Sequence, residues 1–377
     1  MTWKIQLSEL NYDHNEIESV SNVIEREWLT MGELSTQFET EFQNYIGHKN
    51  KGIFVSSATA GLHLILMSLG IKAGDEIILP ALTFVSDSNV VLQLGATPIF
   101  CDSVSLQDFN VCEKSIINSI TERTKAIIVV HFAGYPMELT ALKKLTRLKG
   151  IKLIEDCAHA PGASLNGVSC GNMADASFFS FFSNKNLAIG EGGMVFTEDN
   201  VLLASVRSMR SHGISSTTFD RHEGRAFTYD VNCIGLNYRA DEIRAALGIE
   251  QLKKLNTGNN LRRLLCDRYR QNLANNEIIV PFKECKRNYV SAHHIMPVIL
   301  PKHCDRVLVM EKMKSKGIQT SIHYPAFSSF SAYKDYAGAF QVPVVNEICA
   351  RELTLPLHPR MSGNDVDYVT KNLLEVI

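Results

Sequence analysis

The chain has 377 residues, with 38 basic and 40 acidic side chains, a net charge of −2 and no block of basic residues, which excludes the charge pattern of a nucleic-acid-binding protein. No apolar run approaches the ~20 residues that cross a bilayer, and the nine cysteines are scattered without a Cys-x-x-Cys pair, so neither a disulfide framework nor a zinc knuckle is expected. A reducing cytoplasm suits this composition, and the length suits an enzyme of two domains.

The first predicted elements are two helices. Apolar residues within 8–28 recur at helical spacing, and Phe38, Phe42 and Tyr45 share one side of a second helix over Glu33–Ile46. Aromatic residues in such a pattern are usually buried, so we interpret them as core.

Short apolar runs then alternate with helical patterns through the first half of the chain. This alternation predicts βαβ units in a mostly parallel sheet, with right-handed crossovers that place the carboxyl ends of the strands at one edge. The predicted strands are 52–55, 77–79, 98–101 and 126–130, and the helices between and after them are 62–69, 86–94 and 137–148.

Two stretches near that edge are suited to binding a ligand. The small residues of 56–61 precede a helix, where unpaired amides and the hydroxyl of Thr59 could hold an anion; a simple helix cap by Ser57 or Thr59 is the alternative. Phe84 lies just past a strand, where it could stack on a planar ring, although taken alone it is more typical of core.

The stretch 151–193 contains the candidate reactive residues around which the rest of the chain is organised. One apolar run ends in Glu155 and Asp156, and a second, 177–182, leads to Lys185 and a glycine-rich turn. An acid at one strand end and a lysine just past another can face one crevice, and this pair is typical of pyridoxal phosphate chemistry. Apolar neighbours would lower the pKa of Lys185 and make its amine a usable nucleophile.

Other functional patterns do not occur. The sequence has no Gly-x-Gly-x-x-Gly after the first strand, no nucleotide-triphosphate P-loop and no His-Glu-x-x-His. The histidines His131, His159, His212 and His323 are isolated, and each is more often structural than a metal ligand, so no metal is expected.

The C-terminal part has a different character. A polar, irregular stretch at 201–230 predicts a helix end and then a long loop. Asp241 is expected to cap a helix to 255 that continues toward 272 after a break at 256–259. Beyond 253, the strands 294–300 and 320–323 and the helices 305–316 and 364–376 indicate a smaller α+β domain, which gives two domains, 1–252 and 253–377.

These segments together resemble the DegT/DnrJ/EryC1/StrS family of sugar aminotransferases over roughly 5–375. The resemblance implies an α/β fold of the fold-type I pyridoxal-phosphate aminotransferases, with a large cofactor-binding domain around a mostly parallel sheet, a smaller C-terminal domain, and a homodimer with shared active sites. The motifs are SSATAGLH at 56–63, GDEIILPALTF at 74–84, RTKAIIVVHFAG at 123–134, EDCAHAPGA at 155–163, FSFFSNKNLAIGEGG at 179–193, LNYRADEIRAALG at 236–248 and LPLHP at 355–359.

The resemblance also implies two catalytic residues. Lys185 matches the lysine that binds pyridoxal 5'-phosphate covalently, and Asp156 matches the carboxylate that pairs with the pyridine nitrogen. Phe84 matches the aromatic residue that stacks on the cofactor ring. His159 stands where the family commonly has glutamine.

The remaining residues implied by the resemblance surround the cofactor phosphate. Ser180, Thr59 and Ala60 match the phosphate-binding loop, in which Ala58 replaces the usual glycine. Asn237 matches the residue that reaches the phosphate from the partner subunit.

The same resemblance implies the reaction. Lysine rather than histidine at position 185 implies amino transfer, from glutamate to a nucleotide-linked keto-sugar, instead of sugar dehydration. The sequence Trp-Leu-Thr-Met-Gly at 28–32 resembles the opening of members that act at carbon 4, so a 4-keto-6-deoxyhexose is the expected acceptor. His323 and Tyr324 either border the sugar or donor site or pack between the domains.

Several alternatives remain open. A carbon-3 keto-sugar aminotransferase, a cyclitol aminotransferase and an aminobenzoate-forming dehydratase share the implied fold. A catalytically silent regulator that binds the cofactor or a sugar nucleotide belongs to another class, and the presence of both Lys185 and Asp156 argues against it. The missing glycine fingerprint disfavours a nicotinamide oxidoreductase.

Overall fold

A seven-stranded sheet forms the centre of the computed structural model, which describes residues 3–215, 224, 227–282, 288–334 and 341–377. Five neighbouring strands are parallel, and one strand, Gly193–Thr197, runs antiparallel to the neighbour on each side. In spatial order the strands are β1 (Ile53–Val55), β11 (Gly193–Thr197), β10 (Ala176–Ser180), β7 (Lys152–Asp156), β6 (Thr124–Val130), β2 (Glu76–Pro80) and β3 (Thr97–Cys101).

The central strands have continuous apolar middles because side chains on both faces are buried. Ile77 and Ile128 pack in one core cluster, and Ile78 and Val129, their neighbours in sequence, pack in another. Because successive side chains of a strand point to opposite faces, these clusters lie on the two sides of the sheet. This arrangement leaves polar side chains at the carboxyl ends of the strands.

The helices follow the predicted pattern closely. The second helix has the predicted bounds, and Asp241 caps the long helix by accepting from the amide of Arg244 at 2.9 Å. The helices are α1 (His14–Glu25), α2 (Glu33–Ile46), α3 (Ala58–Ser68), α4 (Ser86–Gln93), α5 (Glu113–Asn118), α6 (Thr140–Lys149), α7 (Asn200–Met209), α8 (Glu242–Asn272), α9 (Arg306–Ser315), α10 (Pro343–Arg351) and α11 (Gly363–Val376). None in the described ranges is both long and apolar enough to cross a membrane.

A second core lies in the C-terminal part of the chain, where α8, α9 and α11 surround a two-stranded sheet. Ile5 joins this core, so the first residues pack with the last part of the chain. The domain boundary at 252/253 remains a prediction and falls inside α8. The remaining strands are β4 (Ser103–Ser105), β5 (Asp108–Val111), β8 (Ser164–Leu165), β9 (Val168–Ser169), β12 (Tyr289–Val290), β13 (Met296–Ile299) and β14 (Glu352–Leu355).

Two predictions about the C-terminal half were wrong. The expected break at 256–259 does not occur, because α8 runs for 31 residues without interruption. The tertiary contacts of Asn259, described below, outweigh the weak helix propensity of this segment. The expected strand at 320–323 is reduced to one bridge between Ser321 and Thr354. Of the predicted irregular stretch 201–230, α7 occupies the first part, and residues 216–223, 225 and 226 lie outside the described residues.

Candidate active site

Two consecutive carboxylates at the end of β7 point to opposite faces of the sheet. Glu155 is fully buried and accepts hydrogen bonds from the amides of Gly171, Met173 and Ala174 and from His131. Asp156 points the other way, and its Oδ1 accepts the amide of Ala158 at 2.7 Å. Glu155 is therefore a structural anchor, and Asp156 is the carboxylate available to a ligand.

Lys185 follows β10 on a tightly bonded turn. Its amide donates to the carbonyl of Phe182 at 2.8 Å, and the amide of Ile189 donates to the carbonyl of Phe181 at 2.9 Å. Burial of the amine lowers the pKa of Lys185 to about 8, while the charges of Asp156 and of Asp87 oppose that shift. A lysine with this pKa is deprotonated often enough near neutral pH to act as a nucleophile.

The residue after the lysine fixes the turn to the rest of the site. The side-chain nitrogen Nδ2 of Asn186 donates to Asn259 Oδ1 and to the carbonyl of Ala292, both at 2.7 Å. The side-chain oxygen Oδ1 of Asn186 lies 2.9 Å from Nδ1 of His294, to which it is hydrogen-bonded. Asn259 lies on α8 and also donates to the carbonyl of Pro161. These bonds connect the lysine turn to the long helix and to the loop that follows Asp156.

His159 and Tyr324 form a bonded pair beside the two predicted catalytic residues. His159 Nδ1 accepts the amide of Ala133 at 3.2 Å, so the ring proton of the neutral histidine lies on Nε2, which is 3.0 Å from the Tyr324 hydroxyl. Burial lowers the pKa of His159 well below its usual value, and the charge of Lys185 adds to that effect. Tyr324 therefore accepts from His159 and retains its own proton as a donor.

The ring of Phe84 is 55% exposed, which is unusual for an aromatic residue so close to the core. Its centroid lies 5.9 Å from that of Tyr324. An exposed ring at the end of β2 leaves room for a planar ligand to stack on it.

The predicted phosphate loop is the amino terminus of α3. Ser57 caps this helix through the amide of Ala60 at 3.1 Å, whereas Ala58 and Thr59 begin the first turn, whose amides have no partner within the helix. Ser180 ends β10 opposite Gly193, and a Cβ at Gly193 would lie 2.7 Å from the nitrogen of Ala58. Glycine at 193 therefore allows the helix terminus to approach Ser180, and the helix dipole favours an anion there.

Two predicted residues lie apart from this group. Asn237 is exposed on a segment that bridges to Ser211, next to Tyr238 and Arg239, which bond to the end of β1. His323 is buried, with Nδ1 at 2.8 Å from the Thr354 hydroxyl, and burial lowers its pKa to about 3. Tyr324, and not His323, is thus the residue of this pair that bonds to the other site residues.

The geometry reveals site residues that the sequence reasoning missed. Asp87, in the first turn of α4, carries a fully buried carboxyl group, whose pKa burial and the charge of Asp156 raise well above its usual value. Its signal in the sequence was weak, because Asp87 lies within α4, past the end of β2 at Pro80, whereas Asp156 is itself the last residue of β7. The roles of Asn186, His294 and Asn259 depend on contacts between distant segments, which local patterns do not show.

One buried cluster has the composition of a metal site. Ligand atoms of His131, Glu155 and Cys157 lie within 4.8 Å of one another. Both oxygens of Glu155 already accept backbone amides, and His131 uses both ring nitrogens, one on Glu155 and one on the amide of Met137. We therefore interpret the cluster as a structural hydrogen-bond network that connects the end of β6 to β7.

The arrangement of the site fits pyridoxal phosphate. Asp156 would hold the pyridine nitrogen, Phe84 would stack on the ring, Lys185 would bind the aldehyde carbon, and the α3 terminus with Ser180 would hold the phosphate. A positive partner stabilises a buried carboxylate such as Asp156, and a negative group is stabilised at the amino terminus of a helix such as α3. The two ends of the site therefore suit the protonated pyridine nitrogen and the phosphate of this cofactor.

Comparisons with known proteins give the same picture. The model of the DegT/DnrJ/EryC1/StrS aminotransferase family matches residues 11–374. MJ1066 from Methanocaldococcus jannaschii, whose function is uncharacterised, is 35% identical over 96% of this chain and 95% of its own.

Solved structures agree with this fold over nearly the whole chain. PseC from Helicobacter pylori, an aminotransferase involved in the biosynthesis of pseudoaminic acid, has a TM-score of 0.90 and 28% identity over 99% of this chain and 98% of its own. Spr1654 from Streptococcus pneumoniae, assigned as a sugar aminotransferase, has a TM-score of 0.91 and 26% identity in its PMP form, over 99% of each chain. Spr1654 has also been solved in PLP and apo forms.

Proposed function

The chain belongs to the DegT/DnrJ/EryC1/StrS aminotransferase family, and on that basis we propose that it transfers the amino group of glutamate to carbon 4 of a nucleotide-linked 4-keto-6-deoxyhexose. It is a pyridoxal-phosphate-dependent aminotransferase with the α/β fold of that enzyme class. The acceptor, the carbon atom and the donor are the proposed parts.

The observation that carries the proposal is the position of Lys185 relative to Asp156. When bound, pyridoxal phosphate withdraws electrons from the substrate carbon and carries the amino group between the two half-reactions. Lys185 is the amine that removes the proton from that carbon and returns it, because its pKa of about 8 lies near the working pH. Asn186 holds the lysine turn in place during both half-reactions.

His159 and Tyr324 contribute a second proton donor. Because Tyr324 accepts from His159 Nε2, its own hydroxyl proton is free to be donated to a ligand oxygen. We propose that this donor contacts the cofactor or the acceptor sugar. We also propose that His323 packs against Tyr324 and holds its ring in position.

The choice of carbon 4 is supported by the segment 28–32. The carboxylate of Glu242 accepts the amides of Gly32, Leu34 and Ser35, each at 2.8 Å, and so fixes this segment on the first turn of α8. The Trp28 indole donates to the carbonyl of Met31. A short segment that is held in place by several hydrogen bonds is better suited to lining a binding pocket than to being a flexible linker.

We also propose a homodimer in which Asn237 completes the phosphate site of the partner subunit. Phe227, Val231 and Ile234 leave apolar side chains exposed on the segment that leads to Asn237. A run of exposed apolar residues next to a predicted site residue supports burial of this segment in a subunit interface.

A panel of acceptors tests the proposed substrate. The purified enzyme is incubated with glutamate and, separately, with a nucleotide-linked 4-keto-6-deoxyhexose, a nucleotide-linked 3-keto-6-deoxyhexose and a keto-inositol, with Lys185→Arg as the control that keeps a cation but cannot turn over. We expect aminated product only from the 4-keto sugar. Amination of the 3-keto sugar alone would contradict the carbon assignment, and turnover of the keto-inositol alone would favour a cyclitol aminotransferase.

A further inference from the structure

A small cavity lies beside the turn that carries Lys185, and none of the roles described above uses it. Its volume of about 20 Å³ is enough for one water molecule and well below the roughly 300 Å³ at which pockets for larger ligands begin. Asn184, the residue before the lysine, lines this cavity together with His294 and His323. Ser8 also lines it, so the cavity lies where distant parts of the chain meet.

Two residues of this lining carry a buried polar atom that lacks a partner. The Oδ1 atom of Asn184 and the Nε2 atom of His294 are both shielded from solvent, and neither has a hydrogen-bond partner among the described residues. His294 as a whole is only 3% exposed. Buried polar atoms without a hydrogen bond are costly, and native proteins nearly always satisfy them with a protein group or an ordered water molecule.

The neighbouring hydrogen bonds show that both atoms are acceptors. Asn186 Nδ2 donates to two oxygens, the carbonyl of Ala292 and Oδ1 of Asn259, so the other polar atom of the Asn186 side chain is its oxygen. His294 must therefore donate from Nδ1 to that oxygen, at 2.9 Å. Burial lowers the pKa of His294 well below its usual value, so the ring is neutral and Nε2 carries a lone pair. The second atom, Oδ1 of Asn184, can only accept.

We propose that this cavity binds one water molecule, which donates one hydrogen to His294 Nε2 and the other to Asn184 Oδ1. Two acceptors cannot satisfy each other, whereas a water molecule has two hydrogens to donate and fits the volume. An ammonium ion has a similar size, but the nearby cation of Lys185 repels it. The hydroxyl of Ser8 can donate to the water oxygen as a third partner, which is the usual number for a buried water molecule.

The water molecule holds the lysine turn from a second side. Asn186, the residue after the lysine, is bonded to Nδ1 of His294. The water molecule connects Nε2 of the same ring to Asn184, the residue before the lysine, so one histidine fixes both neighbours of Lys185. The proposal rests on the role of Lys185 as the lysine that binds the cofactor and not on the identity of the sugar.

A crystal structure of the full-length protein with pyridoxal phosphate, grown without ammonium salts and at a resolution that shows ordered water, tests the site directly. We expect one peak of electron density within about 3.2 Å of both His294 Nε2 and Asn184 Oδ1. The peak should disappear in Asn184→Leu, which has a similar size and no acceptor. It should remain in Ser183→Ala, the matched control, because the Ser183 hydroxyl bonds to the carbonyl of Gly190 in the same turn. A wild-type structure without the peak would overturn the proposal, and so would a peak that stays in Asn184→Leu.

The affinity for pyridoxal phosphate tests whether the water molecule connects the two residues. The dissociation constant is measured by titrating cofactor-free protein for Asn184→Leu, His294→Phe and the double variant. We expect Asn184→Leu to bind about fivefold more weakly, as the loss of one hydrogen bond implies. Adding it to His294→Phe should cause no further loss, because that variant no longer holds the water molecule. Losses that multiply in the double variant would mean that the two residues act independently and would contradict the proposal. The crystallographic test does not depend on His294→Phe, so the proposal stays testable if that variant does not fold.

Discussion

At the scale of single residues, Lys185 provides the clearest dependence on pH. Burial lowers its pKa from 10.5 to about 8. Below this pKa the amine is protonated and cannot attack an aldehyde, and above it the amine is neutral. The rate at which cofactor-free protein captures pyridoxal phosphate covalently should therefore rise by about tenfold for each pH unit below 8 and level off above that value.

Stopped-flow absorbance measures this capture rate directly. The reaction of Nα-acetyl-lysine in the same buffers is the control, because it corrects for the pH dependence of the aldehyde itself. A rate that keeps rising with pH far above 8, as it does for an exposed lysine, would show that the pKa of Lys185 is not lowered.

The sequence predicted the main residues of the site because their signals are local. Asp156 ends the strand β7 and Lys185 comes after β10, and their apolar neighbours indicated burial. Asp87 was missed because the helix pattern of 86–94 accounted for it. Asn186 and Asn259 could not be found in this way, since they are 73 residues apart and meet only in the folded chain.

At the scale of secondary structure, most elements were predicted, because buried parallel strands have continuous apolar runs and amphipathic helices have a period of 3.6 residues. The failures have specific causes. The strand Gly193–Thr197 was not predicted, because Gly193 was taken as the end of the glycine-rich turn, although that glycine lets the start of β11 pack against α3. The polar segment of α8 stays helical because Asn259 bonds to Pro161 and Asn186.

At the scale of the whole molecule, the homodimer proposal predicts that active sites contain residues from both subunits. Lys185→Ala and Asn237→Ala proteins are each expected to be inactive or strongly impaired. In a mixture of the two, a hybrid dimer has one site with both substitutions and one with neither. Subunit exchange at equal concentrations should therefore restore activity to about a quarter of the wild-type level.

Two observations would contradict this arrangement. If Asn237 acted within its own subunit, every site in a hybrid would carry one substitution, and mixing would restore nothing. A monomer by light scattering would reject the shared site directly. Size-exclusion chromatography of each variant is the control, because both must retain the wild-type oligomeric state for the mixing experiment to be read.

The measurement that tests the central assignment most directly is the visible absorption spectrum of the purified full-length protein before and after addition of glutamate. We predict an absorption band of the lysine-bound cofactor that disappears with glutamate as an equal amount of 2-oxoglutarate forms, and that is missing from Lys185→Ala. A colourless protein that takes up no added pyridoxal phosphate would contradict the assignment and favour a catalytically silent regulator.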